Sequence, residues 1–159
     1  MTMREWLMLY GESHQHPINI VIHKVCVPVI VFTVLGLLWC VPLPTAWRTL
    51  LVFNGVGYAN LATMAVLLGL VFYSRLSTPI TIGMAMLTFT MLLILGLMEK
   101  HAVDLLTLSM AAFAIAWVCQ FIGHKIEGQQ PSFFRDLQFL LIGPAWTLVP
   151  LYRRLGISY

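Results

Sequence analysis

Three of the chain's five histidines crowd into SHQHPINIVIHK, Ser13 to Lys24, where a long apolar run begins. A fourth, His124, ends another apolar run in QFIGHKIEGQQP, three residues before Glu127, and His101 lies apart in EKHAVD. Imidazoles plus a carboxylate match the ligands of a non-haem Fe(II) oxygenase, a centre that keeps positions open for substrate and O2; zinc accepts the same donors. Local spacing favours convergence. Pro17 suits the first position of a helix, with His16 as its cap. His16, Asn19 and His23 then fall three and four residues apart on one helix face, and His14 can fold over it from the irregular approach. Gln120, His124 and Glu127 follow the same spacing, and Gly123 permits another helix or a substrate to come close. The competing reading is a wet polar cap, histidines at a membrane boundary that bond only water and headgroups.

The elements that must position these residues are set by composition. The 159 residues are 60% hydrophobic and 9% charged, against about 25% charged in ordinary soluble domains. Mean hydropathy is +0.88. A soluble fold of this size cannot hide that much apolar surface, so the expected class is all-α: a polytopic integral membrane helix bundle forming one domain over residues 1–159. The net charge of +3 comes from scattered residues, with no basic run to suggest nucleic acid. Cys26, Cys40 and Cys119 are far apart in apolar sequence and read as buried free thiols. The N-terminus lacks a short apolar core followed by a small-residue cleavage site, so no removable signal peptide is expected.

About 20 apolar residues cross a bilayer, and four stretches qualify. They run from Ile20 to Val41, between Arg48 and Arg75, from Ile80 to Met98 and between Asp104 and His124. Pro28 is tolerable early in the first. Ser77 or Thr78 can cap the third, with Pro79 in its first turn. The apolar stretch between Asp136 and Arg153 is broken by Gly143-Pro144 and by Pro150, and reads as a broken interfacial or re-entrant helix pair. Four crossings put Arg4, Lys24, Arg75, Lys125, Arg135, Arg153 and Arg154 on one side, against Arg48 and Lys100 on the other. The positive-inside rule then places both termini in the cytoplasm, with the inner membrane expected for a bacterial source.

An even number of crossings brings His14, His16 and His23 to the same cytoplasmic face as His124 and Glu127. His101 falls on the opposite side, roughly 30 Å away, and is excluded from any shared site. On the residues alone, metal centre and polar cap both stay open, with the cost of ionisable groups at membrane depth favouring function.

The blocks YGESHQHPINIVIHKVCVP, QFIGHKIEGQQPSFF and DLQFLLIGP together resemble the 2-hydroxy fatty acid dioxygenase family, small polytopic membrane proteins of α-oxidation. The likeness spans essentially the whole chain. His14, Pro17, Asn19 and His23 match the first block of the family pattern, Gln120, Gly123, His124, Glu127 and Pro131 the second, Asp136 and Pro144 the third. The position of His16 is often asparagine in that pattern. The resemblance therefore ranks His14, His23 and His124 first as metal ligands and Glu127 next. His16 is left as a ligand particular to this chain, a donor behind the ligands, or only the cap.

The implied activity is Fe(II)- and O2-dependent shortening of a 2-hydroxy fatty acid by one carbon, the substrate entering from membrane lipid. For a eukaryotic source the resemblance implies the endoplasmic reticulum. Asn19, Gln120 and Asp136 are candidates to orient the imidazoles. Lys125, with Lys24 or Arg135, can compensate the substrate carboxylate, or is simply a solvated positive-inside charge. Three other classes compete with this one. A di-iron membrane desaturase needs about eight histidines by family pattern, more than this chain holds. A hydrolase through Ser13 beside His14 lacks a GxSxG elbow. A small transporter or metal-sensing membrane protein is the non-enzymatic alternative, against which stand the uncharged second and third spans.

Overall fold

Pro17 opens the first long helix, and His16 caps it: its Nδ1 accepts from the backbone N–H of Ile18 at 3.3 Å. The computed structural model describes residues 1–12, 14–128, 139 and 141–159. A short α1 (Met3–Glu12) precedes that long helix, α2 (Pro17–Trp39). After the one-turn α3 (Thr45–Arg48) and a hairpin come α4 (Leu61–Ser74), α5 (Thr78–Lys100), α6 (Leu105–Glu127) and α7 (Ile142–Leu155). Ser77 caps α5, Asp104 caps α6 by accepting from the Thr107 N–H, and Gly128 ends α6 at φ 75°.

α2, α5 and α6 are 23 residues each and apolar enough to cross a membrane. At 1.5 Å per residue that is ~35 Å, beyond the ~30 Å hydrocarbon core. Only 22–39% of their most apolar windows is buried inside the protein, so most of their side chains face outward, where lipid rather than protein must cover them. Pro28 is carried within α2 without ending it.

The second expected span is not one long helix. Between Arg48 and Arg75 the chain first makes an antiparallel hairpin, β1 (Val52–Phe53) with β2 (Val56–Gly57), and α4 has only 14 residues. Such a helix is ~21 Å long, short of the hydrocarbon thickness. Asn54 and Gly55 both have positive φ, 53° and 82°, the backbone of a tight hairpin turn whose twist matches the strands it joins. The chain is thus not purely helical. It has three helices of spanning length and a shorter apolar one.

α2 and α6 lie antiparallel over their whole lengths. Glu127, ending α6, bonds to the start of α2, while Gly36, late in α2, packs on Ser109, early in α6. The opposite end of the bundle is tied by Glu99 of α5, which accepts from Trp39 Nε1 at 2.7 Å and Arg48 Nη2 at 2.7 Å.

α1 and α7 pack together on the other end, against the end of α4 and the start of α5. Tyr73 donates to the Leu141 carbonyl, and Tyr152 to that of Pro79 at 2.6 Å. The described part of the expected C-terminal pair is one helix. Gly143 and Pro144 fall in its first turn, where a missing N–H breaks no helical bond, and Pro150 is accommodated inside. Asp136 and Arg135 lie outside the described residues.

Candidate metal centre

His14 sits just past α1, in the link to α2, and its Nδ1 meets the Tyr10 carbonyl at 2.8 Å. Its ring stacks on that of Tyr10, centroids 4.4 Å apart and planes 15° from parallel. His23 lies two turns into α2, with Nδ1 3.1 Å from the Asn19 carbonyl. His124 comes from the last turn of α6. A carbonyl can only accept, so Nδ1 of His14 and His23 carries the proton and Nε2 keeps a lone pair for a ligand. The carbonyl contacts also hold each ring's orientation, as outer partners do for metal-bound imidazoles.

The three rings converge. Centroid separations are 4.2 Å for His14–His23, 4.9 Å for His23–His124 and 5.9 Å for His14–His124. One nitrogen from each lies within 4.8 Å of the other two, and all three residues are buried. Three imidazoles with ligand nitrogens this close together can hold a divalent transition metal.

Residues 1–155 match the family described as 2-hydroxy-palmitic acid dioxygenase Mpo1-like. The chain belongs to the Mpo1-like family. It is 29% identical over 162 residues to 2-hydroxy-palmitic acid dioxygenase MPO1 of Saccharomyces cerevisiae, an alignment covering 98% of this chain and 83% of that protein. No solved structure matches. The family resemblance carried by the three sequence blocks is thereby established over nearly the whole chain.

In this Mpo1-like chain Glu127 stands beside the trio. Its carboxylate accepts from the backbone N–H of Gln15 at 2.8 Å, that of His16 at 3.0 Å and Asn19 Nδ2 at 2.9 Å. It is a clamp from the end of α6 onto the start of α2 and the link that bears His14. The His16 side chain is engaged as helix cap. Asn19 is fully buried and serves twice, through its carbonyl to His23 and its amide to Glu127. Gln120 is buried one turn from His124, while Lys125 is exposed. His101 caps the far end of α5, exposed and away from the trio.

Two aromatic neighbours were not singled out from sequence. Tyr10 underlies His14, and Trp146 of α7 lies 5.6 Å from it, centroid to centroid. The signal for Tyr10 was its position four residues before His14; Trp146, over a hundred residues away, had none. Beside the trio a cleft of about 70 Å³ is lined by His23, His124, Gln120, Trp117 and the apolar Val27 and Ile30.

Gly123 is what lets the clamp close. A β-carbon there would overlap Asn19 Oδ1, and Asn19 cannot turn away without releasing Glu127. Gly123→Ala is expected to destabilise the protein by about 1–3 kcal/mol, the usual cost of overpacking. Thermal melting in detergent measures it. An unchanged melting temperature would show that α2 and α6 do not need this approach.

Proposed function

We propose that this protein is an Fe(II)-dependent dioxygenase that shortens 2-hydroxy fatty acids by one carbon, with His14, His23 and His124 holding the metal. The observation that carries the reading is the convergence of three buried imidazoles, two with Nδ1 committed to backbone carbonyls, in a chain of the Mpo1-like family. Iron held there supplies open coordination positions and the redox chemistry that ground-state O2 requires. The chain's residues do the rest. The Tyr10 and Asn19 carbonyls aim the imidazoles, and Glu127 fixes the His14 link to α6 rather than ligating. Tyr10 and Trp146 shield the trio from water. Val27 and Ile30, ~6–10 Å along α2 from His23, offer an apolar wall to the acyl chain. The exposed Lys125, at the same end, attracts the carboxylate from the interface.

The accompanying topology is one membrane domain with four crossings, α4 and the hairpin before it together making the second, and with both termini and the site on the cytoplasmic face. Arg4, Lys24, Arg75, Lys125, Arg153 and Arg154 belong to the trio's end, against Arg48 and Lys100 at the other, which supports that orientation. α7, amphipathic and packed on α1, lies along the interface.

The test is anaerobic Fe(II) loading of purified protein, then O2 with 2-hydroxypalmitic acid, followed by mass spectrometry for the acid one carbon shorter. No shortening, together with metal-dependent uptake into vesicles, would favour the transporter reading instead. His101→Ala is expected to leave iron content and turnover unchanged, since that residue lies roughly a bilayer thickness from the trio. Loss of both would overturn the topology.

A further inference from the structure

The cleft below the histidines is not uniformly apolar. Gln120 is only 5% exposed, lines the cleft beside His23 and His124, and its Oε1 has no hydrogen-bond partner among the described residues. It stands four residues before His124 on α6, so the two side chains share a face one turn apart. A buried acceptor left unmet is costly, and a ligand that brings a donor to it recovers that cost.

Asn19 Oδ1 and Trp117 Nε1 are also buried and unmet among the described residues. Asn19 Oδ1 faces Gly123 and does not line the cleft. Trp117 does line it, three residues deeper, but an indole N–H only donates and cannot take a hydroxyl proton.

We infer that Gln120 is the specificity-determining residue that reads the C2 hydroxyl of the substrate: its side-chain Oε1 accepts from the substrate O–H. This rests on the proposed function. A 2-hydroxy acid places that O–H one carbon from the carboxylate, at the polar mouth of the cleft where Gln120 lies, while the rest of the chain passes toward Val27 and Ile30. A plain fatty acid presents C–H at the same point and leaves the amide oxygen unmet. The discrimination therefore does not come from metal chelation alone.

The test is equilibrium binding to the full chain in nanodiscs, Fe(II)-loaded and held anaerobic so that nothing turns over. 2-Hydroxypalmitate, palmitate and 2-methoxypalmitate compete against a radiolabelled 2-hydroxy acid. Wild type is expected to bind the 2-hydroxy acid at least about tenfold more tightly than its O-methyl ether, which keeps the oxygen and lacks the donor. In Gln120→Met, unbranched and of similar length, that hydroxyl-to-methoxy difference should shrink about tenfold, with palmitate affinity little changed. An equal difference in wild type and Gln120→Met overturns the inference. So does equal binding of the hydroxy and methoxy acids by wild type, a result that needs no variant to fold. Failure of the wild type to shorten 2-hydroxypalmitate would instead strike the proposed function, and is read separately.

Discussion

With the proposed iron centre, the wild type is expected to bind about one iron per chain, and His14→Ala, His23→Ala and His124→Ala each to lose it and abolish turnover. The three rings form one cluster with every pair in ring contact, and in the proposed centre each supplies one ligand. Loss of even an outer hydrogen-bond partner costs roughly 10–100-fold in metal affinity, and loss of a ligand should exceed that. Metal analysis of purified variants, alongside product formation, measures both. Full activity in iron-free protein, or an alanine variant that keeps its iron, would sink the three-histidine centre.

Glu127→Ala is the second large effect, and its outcome separates two roles for the carboxylate. As a clamp, Glu127 holds the Gln15 and His16 amides and the Asn19 side chain. Its removal frees the link that carries His14 and leaves the Gln15 and His16 amides, just before α2, to find water. Iron affinity should then fall by roughly 10–100-fold with all three histidines in place. Glu127→Gln, which keeps one acceptor oxygen, should fall less. Were Glu127 itself a ligand, both variants would lose iron as completely as the histidine variants. Chelator competition distinguishes the two outcomes.

The two halves of this contact lie 111 residues apart at His16 and Glu127. In sequence a carboxylate three residues after a histidine looks the same whether it caps a distant helix or binds a metal. The antiparallel pairing of α2 with α6 brings Glu127 onto the Gln15 and His16 amides, a contact that no local pattern encodes.

The second span departs from one long helix for a different reason. Val52 to Asn60 is apolar enough to extend a hydropathy window, yet Asn54-Gly55 is strong turn chemistry. Averaged hydropathy registers how apolar a stretch is and not which φ values its residues favour. Among the described residues α7 runs unbroken through two prolines, and position is the reason: Pro144 sits where no N–H is needed, and Pro150 is carried inside the helix.

What the sequence determined by itself is what local chemistry and periodicity can encode. That includes the membrane class, the three long helices with their Pro, Ser and Asp starts, the resemblance to the family, and which histidines could share an end of the bundle. Helical periods, capping and hydropathy act over a few residues and need no partner to be read. Tertiary structure decided which donors meet. Tyr10 and Trp146 reach His14 only because α1 folds onto α7, and Gly123 matters only because Asn19 lies against it. The physical reason is chain connectivity: contacts between distant segments follow from how whole helices pack, and no local pattern carries that information.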